Sequence, residues 1–172
     1  MIPFRVLFLA LALTGPAWAG EPGLVLHENG CGPVFLGMTV DQAATALGEP
    51  LTSTWMGGRF KPDPACHYLY PGGDMTRLGF MVSEGIIVRV DVYSTDVPTD
   101  RGVGVGSTES QVRAAYGPGV EERPHPYLGA RGKTLTVDTA PGRAMVFEVE
   151  EGRVLRLRTG RLPQALWIEG CS

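Results

Sequence analysis

Apolar residues recur at every second position through Phe80-Met81-Val82 and Val88-Arg89-Val90, and again through Phe147-Glu148-Val149 and Leu155-Arg156-Leu157. That period belongs to a strand with one buried face. Glu84-Gly85 stands inside the first pair and Glu151-Gly152 inside the second, as two-residue turns whose glycine supplies a positive φ, so each pair predicts a β-hairpin. Extended to their limits, the strand expectations are 66–70, 77–83 and 86–94 in the first half, and 134–139, 143–150 and 153–159 in the second. The period puts Phe80, Val82, Val88 and Val90 on one face, with Phe147, Val149, Leu155 and Leu157 as their counterparts. Arg89, Asp91 and Tyr93 fall on the other face, with Glu148, Glu150, Arg156 and Arg158. An antiparallel sheet can leave such a face open to water.

A period of 3.6 governs two shorter stretches. Val40, Ala43, Ala44 and Leu47 make one apolar stripe, and Val112, Ala115 and Tyr116 make another. Thr39 with Gln42, and Thr108 with Gln111, have the spacing of a capping box: the Thr hydroxyl takes the third amide and the Gln side chain reaches back. Gly48 with Pro50, and Gly117-Pro118, supply the stops. Helices of about two turns cannot stand alone in water, so each must lie on a sheet.

Helices and hairpins recur together. Val34, Gly37, Thr39, Gln42, Ala46 and Gly48 reappear at Val103, Gly106, Thr108, Gln111, Ala115 and Gly117, and 80–89 reappears as 147–156. The chain therefore predicts a duplicated α+β protein: two tandem units, each a short helix packed on an antiparallel sheet of three to four strands. The units are 20–97 and 98–172, with 95–101 as the linker. Residues 23–26 read as a first strand or extended arm turned at 27–30, and 165–169 as a last strand.

Composition adds the address. Arg5, the apolar run 6–14 and Ala17-Trp18-Ala19 have the order of a cleaved signal peptide over residues 1–19. The run is too short to span a bilayer comfortably, so no stable membrane insertion is expected after cleavage. Loss of Arg5 with the leader takes the net charge from −3 to −4. Lys61 and Lys133 stand alone, and a weakly acidic chain without basic runs excludes nucleic acid as the main partner. Export to the periplasm or medium makes Cys31, Cys66 and Cys171 candidates for a disulfide. Three cysteines allow three pairings, and spacing does not choose among them.

Candidate chemistry is sparse. Residues 101–108 are glycine-rich before a helix but lack the Gly-Lys-Ser/Thr of a phosphate loop, and the first copy keeps only Gly37, so the shared glycine serves the turn. His27, His67 and His125 have no metal-ligand spacing, and neighbours such as Cys66 and His67 on a strand point to opposite faces. Ser107 and Ser110 sit where helix capping explains them, with no nucleophile elbow. The acidic pairs Glu121-Glu122 and Glu150-Glu151 flank turns and read as solvated. No catalytic residue, metal or cofactor is expected.

A Gly-Met-Thr turn, a Gln-closed short helix ending in Gly and an antiparallel sheet, all duplicated, resemble the β-lactamase inhibitory protein and the single-unit SmpA/OmlA lipoproteins of the outer-membrane assembly machinery. Leu36-Gly37-Met38-Thr39 with Gln42 and Gly48 carries that likeness. The chain also resembles a group of uncharacterised exported bacterial proteins with the same two units, through Cys66-His67-Tyr68, Phe80-Met81-Val82, Val88-Arg89-Val90-Asp91, Arg113-Ala114-Ala115-Tyr116-Gly117, Pro124-His125-Pro126-Tyr127 and Glu169-Gly170-Cys171. This second resemblance implies that Cys66 pairs with Cys171 and that Cys31 is the odd thiol. The lipid-bearing cysteine of the assembly lipoproteins is missing here, as is the disulfide that the inhibitory protein closes within each unit.

These readings lead to an exported, non-catalytic binding module that engages a protein partner of the cell envelope through its polar sheet face. Arg89, Asp91, Tyr93, Arg156 and Arg158, with Trp55 and Tyr127 in nearby loops, mix the arginines and aromatics that anchor interfaces. The alternatives are a small secreted hydrolase and a structural envelope component.

Overall fold

A computed structural model describes residues 23–53 and 63–171. The expected leader at 1–19 and Trp55 lie outside those residues. Three two-residue strands come first, β1 (Leu26–His27), β2 (Gly30–Cys31) and β3 (Val34–Phe35), followed by helix α1 (Val40–Leu47). Then come β4 (Leu51–Thr52), β5 (His67–Pro71), β6 (Leu78–Ser83) and β7 (Ile86–Val92). The second half supplies α2 (Glu109–Tyr116), β8 (Glu121–Pro124), β9 (Gly132–Ala140), β10 (Arg143–Glu150) and β11 (Arg153–Arg161).

These elements do not form two helix-plus-sheet units. The protein is mostly β, with a three-stranded sheet, β1-β2-β3, and one eight-stranded sheet in the order β4-β5-β6-β7-β11-β10-β9-β8. Strands of both halves join edge to edge where β7 pairs antiparallel with β11. The hydrophobic periods of the separate hairpins carry no information about this junction. Closing it removes one exposed edge from each half, and exposed edges are the liability of open sheets.

The helices lie where the stripes require. Ala43 and Val112 are fully buried, and Val40, Ala44, Leu47, Ala115 and Tyr116 pack around them on a core that takes residues from both halves. Both capping boxes are formed: Thr39 N donates to Gln42 Oε1 at 2.9 Å, and Thr108 N to Gln111 Oε1 at 2.8 Å. Each capping Thr also bridges to the first residue of a hairpin's second strand, Thr39 to Ile86 and Thr108 to Arg153.

Both hairpin turns put Glu as well as Gly at positive φ, Glu84 at 50° with Gly85 at 79° and Glu151 at 49° with Gly152 at 78°. That is the turn whose twist matches the strands it joins. A register shift then follows in each hairpin. Met81 faces Arg89 while Val82 faces Ile87, so Val88 is an extra residue; Glu148 faces Arg156 while Val149 faces Val154, so Leu155 is another. Each bulge rotates the alternation by one step. Ile87 and Val154 therefore enter the core cluster in place of Val88 and Leu155, and Leu155 is 46% exposed. The segment expected as a last strand, 165–169, instead begins with a 3-10 turn at Gln164–Leu166. Residues 162–171 form a strap that contacts β7, β10 and β11.

The junction is thereby covered on both sides. On the core side β1 packs against β11 and β2 against β7, and Thr159 Oγ1 donates to the Glu28 carbonyl at 3.2 Å. On the other side lies the strap.

Candidate functional site

The polar face exists, but it is not open to water. Arg89, Asp91, Glu148 and Arg158 are each at most 3% exposed. The strap covers them, tied down by a disulfide between Cys171 and Cys66. Cys31 is a buried free thiol whose pKa is pushed up to about 12 by burial, with Arg77 opposing.

The network begins on β7. Arg89 and Asp91 are two residues apart, so they share a face. Arg89 Nη2 donates to Asp91 Oδ1 at 2.6 Å and Nε to Oδ2 at 2.9 Å, a forked pair of the kind guanidinium and carboxylate geometry favours. Asp91 Oδ2 also accepts from the Tyr68 hydroxyl at 3.0 Å. Burial first, and then Asp91, raise the Tyr68 phenol far above its ordinary range. The remaining Arg89 nitrogen, Nη1, donates to two strap carbonyls, Gln164 at 2.9 Å and Trp167 at 2.5 Å. Arg89 thus carries the strap to the sheet. Gly160, its register partner on β11, makes the room: a Cβ there would stand 3.0 Å from Arg89 Cβ. A glycine inside a strand often marks such a close approach.

Glu148 on β10 is the second centre. Its Oε1 accepts from Arg158 Nη1, and its Oε2 from Arg156 Nε at 2.5 Å and from His125 Nε2 at 3.1 Å. The other ring nitrogen of His125, Nδ1, accepts from the Tyr127 amide at 3.2 Å, which leaves Nε2 to donate to Glu148. Flanking prolines hold the ring there, and it is buried. Burial alone would raise the Glu148 carboxyl, but Arg158 and Arg156 more than offset it and keep its pKa below the usual range. Arg158 Nε donates to the strap carbonyl of Ala165 at 2.6 Å. Burial, with Arg89 adding to it, lowers the Arg158 pKa from its ordinary value.

The expected binding residues therefore separate. Arg89, Asp91 and Arg158 are buried structural charges; Tyr93 is half-buried, and Arg156 retains a partly exposed side chain. Tyr127 is exposed at the strap's flank, its hydroxyl donating to Glu169. Reading the sequence missed the strap, and with it Gln164, Ala165 and Trp167 as partners of the arginines. It also missed His125 and Glu148 as a pair. Gly160, alone between arginines in a strand, was the available signal for the covered face.

Two grooves flank the strap. One, of about 420 Å³, lies between the strap and β8–β10, with Arg158, Thr136, Val146 and Leu166 in its lining. The other, of about 700 Å³, runs past the disulfide between Tyr127, Trp167 and Ile168. Among the described residues, no three of His, Cys, Asp and Glu gather where they could hold a metal, and no helix is long and apolar enough to cross a membrane. The disulfide points to a secreted or envelope location.

No family model matches the chain, and no curated protein sequence matches it either. Among solved structures, it is similar to the uncharacterized protein yfeY from Escherichia coli, with a TM-score of 0.51 and 17% identity over 79% of this chain and 99% of that one. A second structure, an extracellular protein containing a SCP domain from Bacillus anthracis, gives a TM-score of 0.46 and 9% identity over 74% of this chain and 44% of that one. The first likeness, at so low an identity, is one of fold alone, and the second is too slight to carry an argument.

Proposed function

We propose that this is an exported, non-catalytic binding module of the periplasm or cell surface, which takes a protein partner on the surface formed by the strap and the loop carrying Tyr127. One observation carries the reading. Of the seven large apolar side chains exposed among the described residues, four, Tyr127, Leu162, Leu166 and Trp167, lie on the strap and its flank. Exposed apolar residues scattered singly need no explanation, whereas a group of them beside grooves marks an interaction surface. Aromatic anchors in such a place are the usual centres of binding energy.

The buried network fits the same reading. Asp91 is engaged by Arg89 and Tyr68, and Glu148 by two arginines and a histidine. Neither carboxylate is left as a free general acid or base, which favours a structural duty for the charges over the hydrolase alternative. The polar face thus acts through the strap it holds and not by direct contact. The likeness of the Gly-x-Thr-x-x-Gln helix to the β-lactamase inhibitory protein is consistent with a protein partner. A photo-crosslinking side chain at Trp167, compared with one at exposed Thr45 on α1, tests the proposal.

A further inference from the structure

We infer that the groove between the strap and β8–β10 is a binding site for a monocarboxylate with an apolar body, whose carboxylate is received by Arg158. The site goes beyond the partner surface proposed above and does not depend on it.

The buried charges of the network are two guanidinium groups, Arg89 and Arg158, and two carboxylates, Asp91 and Glu148. Glu148 is shared, since the partly exposed Arg156 donates to it as well, so Arg158 has no carboxylate to itself. Arg158 is 1% exposed, and its Nη2 has no hydrogen-bond partner among the described residues. Every other guanidinium nitrogen of Arg89 and Arg158 donates to a carboxylate or a strap carbonyl. An unsatisfied buried donor of this kind is rare in a finished fold and calls for a ligand or another explanation.

The lining then selects the ligand. Arg158 belongs to it, beside Thr134 and Thr136. Pro124, Pro126, Val146, Leu162, Leu166 and Ile168 supply apolar walls suited to a hydrocarbon body. Glu121 and Asp138 also line the groove, and Arg123 there is paired with Glu121 at 3.6 Å. Two acids repel a doubly charged group such as a phosphate monoester more strongly than a single carboxylate, which offers the unpartnered Nη2 a charge-assisted acceptor. A volume of about 420 Å³ suits a small organic acid or the last residue or two of a peptide.

The test titrates octanoate and octanamide against the purified mature protein by calorimetry. Octanoate is expected to bind at one saturable site and the amide about tenfold or more weaker, because only the acid gives Arg158 Nη2 a charge-assisted bond. Acetyl-Leu-Leu as free acid and as amide forms a second pair. If the peptide acid binds tighter than octanoate, the source is a protein chain end; the reverse order names a free acid; both orders support the site. Arg158→Lys should weaken every acid about tenfold while leaving the amides unchanged. The acid–amide contrast in the unmodified protein needs no variant, so a misfolded Arg158→Lys protein leaves the test standing. Equal affinities for acid and amide, or no binding of either acid, would overturn the inference. Crosslinking at Trp167 is a separate readout, so failure here and failure of the partner surface are distinguishable.

Discussion

Asp91 and Arg158 face each other across the seam where the two halves of the sheet meet, yet neither is the other's salt-bridge partner. Asp91 takes Arg89 of its own half, and Arg158 takes Glu148 of its own half. In sequence they stand at the same offset that matches Phe80 with Phe147, which carries position 91 to 158. The junction thus places an acid and a base at equivalent positions side by side, and each half completes its own pair before the strap crosses both.

Asp91→Asn should leave Arg89 buried against neutral acceptors only. Removing one partner of a buried pair costs about 3–5 kcal/mol. Tyr68→Phe, which deletes a single hydrogen bond to the same carboxylate, should cost about 1 kcal/mol. Urea denaturation of the two variants gives the comparison, and equal losses would count against the pairing described.

Glu148 sets a pH dependence. Its carboxyl titrates below the ordinary range, with Arg158 and Arg156 outweighing burial. The unfolded chain therefore takes up this proton at a higher pH than the folded one. The stabilisation is fully present above the ordinary carboxylate range and is lost as pH falls through the depressed value. Denaturation midpoints followed downward from pH 7 should show this loss in the parent protein and a shallower one in Glu148→Gln, which should itself lose about 3–5 kcal/mol at neutral pH.

Bulges make a sharp pair of expectations in β11. Leu155 is displaced to the surface while Val154 and Leu157 are in the core. Leu155→Ser should change stability by less than about 0.5 kcal/mol, and Leu157→Ala should cost about 2–5 kcal/mol. Uninterrupted alternation from Leu157 to Leu155 would demand a large loss at both.

The disulfide closes a sequence separation of 105 residues, worth about 4–5 kcal/mol by chain entropy. Cys66→Ser with Cys171→Ser should lower the melting temperature and speed amide exchange at Leu166 and Trp167, both of which donate within the strap. Cys31 should stay unreactive to a thiol reagent until the protein unfolds, because burial holds its pKa at about 12 and almost no thiolate is present.

Local chemistry was legible in the chain and remote chemistry was not. Thr39 with Gln42 and Thr108 with Gln111 specify their caps within four residues, and both boxes form. Glu84-Gly85 and Glu151-Gly152 specify their turns in the same way. Alternation alone points Val88 and Leu155 inward, because it assumes one residue per step, and a bulge inserts a second. β8 passed for solvated turn residues: Glu121 and Glu122 blunt an edge strand, and an exposed edge has no apolar period to read. Alternation puts Arg89 and Arg158 on the polar face of the sheet, but what covers that face comes from 162–171. No period within a strand reports on a segment that arrives from elsewhere in the sequence.

The proposed partner surface is the strap together with the Tyr127 loop. The most direct measurement places a photo-crosslinking residue at Trp167 or at Thr45 in the full chain, expressed and exported in its own cells, and identifies what is covalently captured. One discrete protein adduct from Trp167 that disappears with Tyr127→Ala, and none from Thr45, is expected. The same adducts from both positions, or adducts from Thr45 alone, would contradict it.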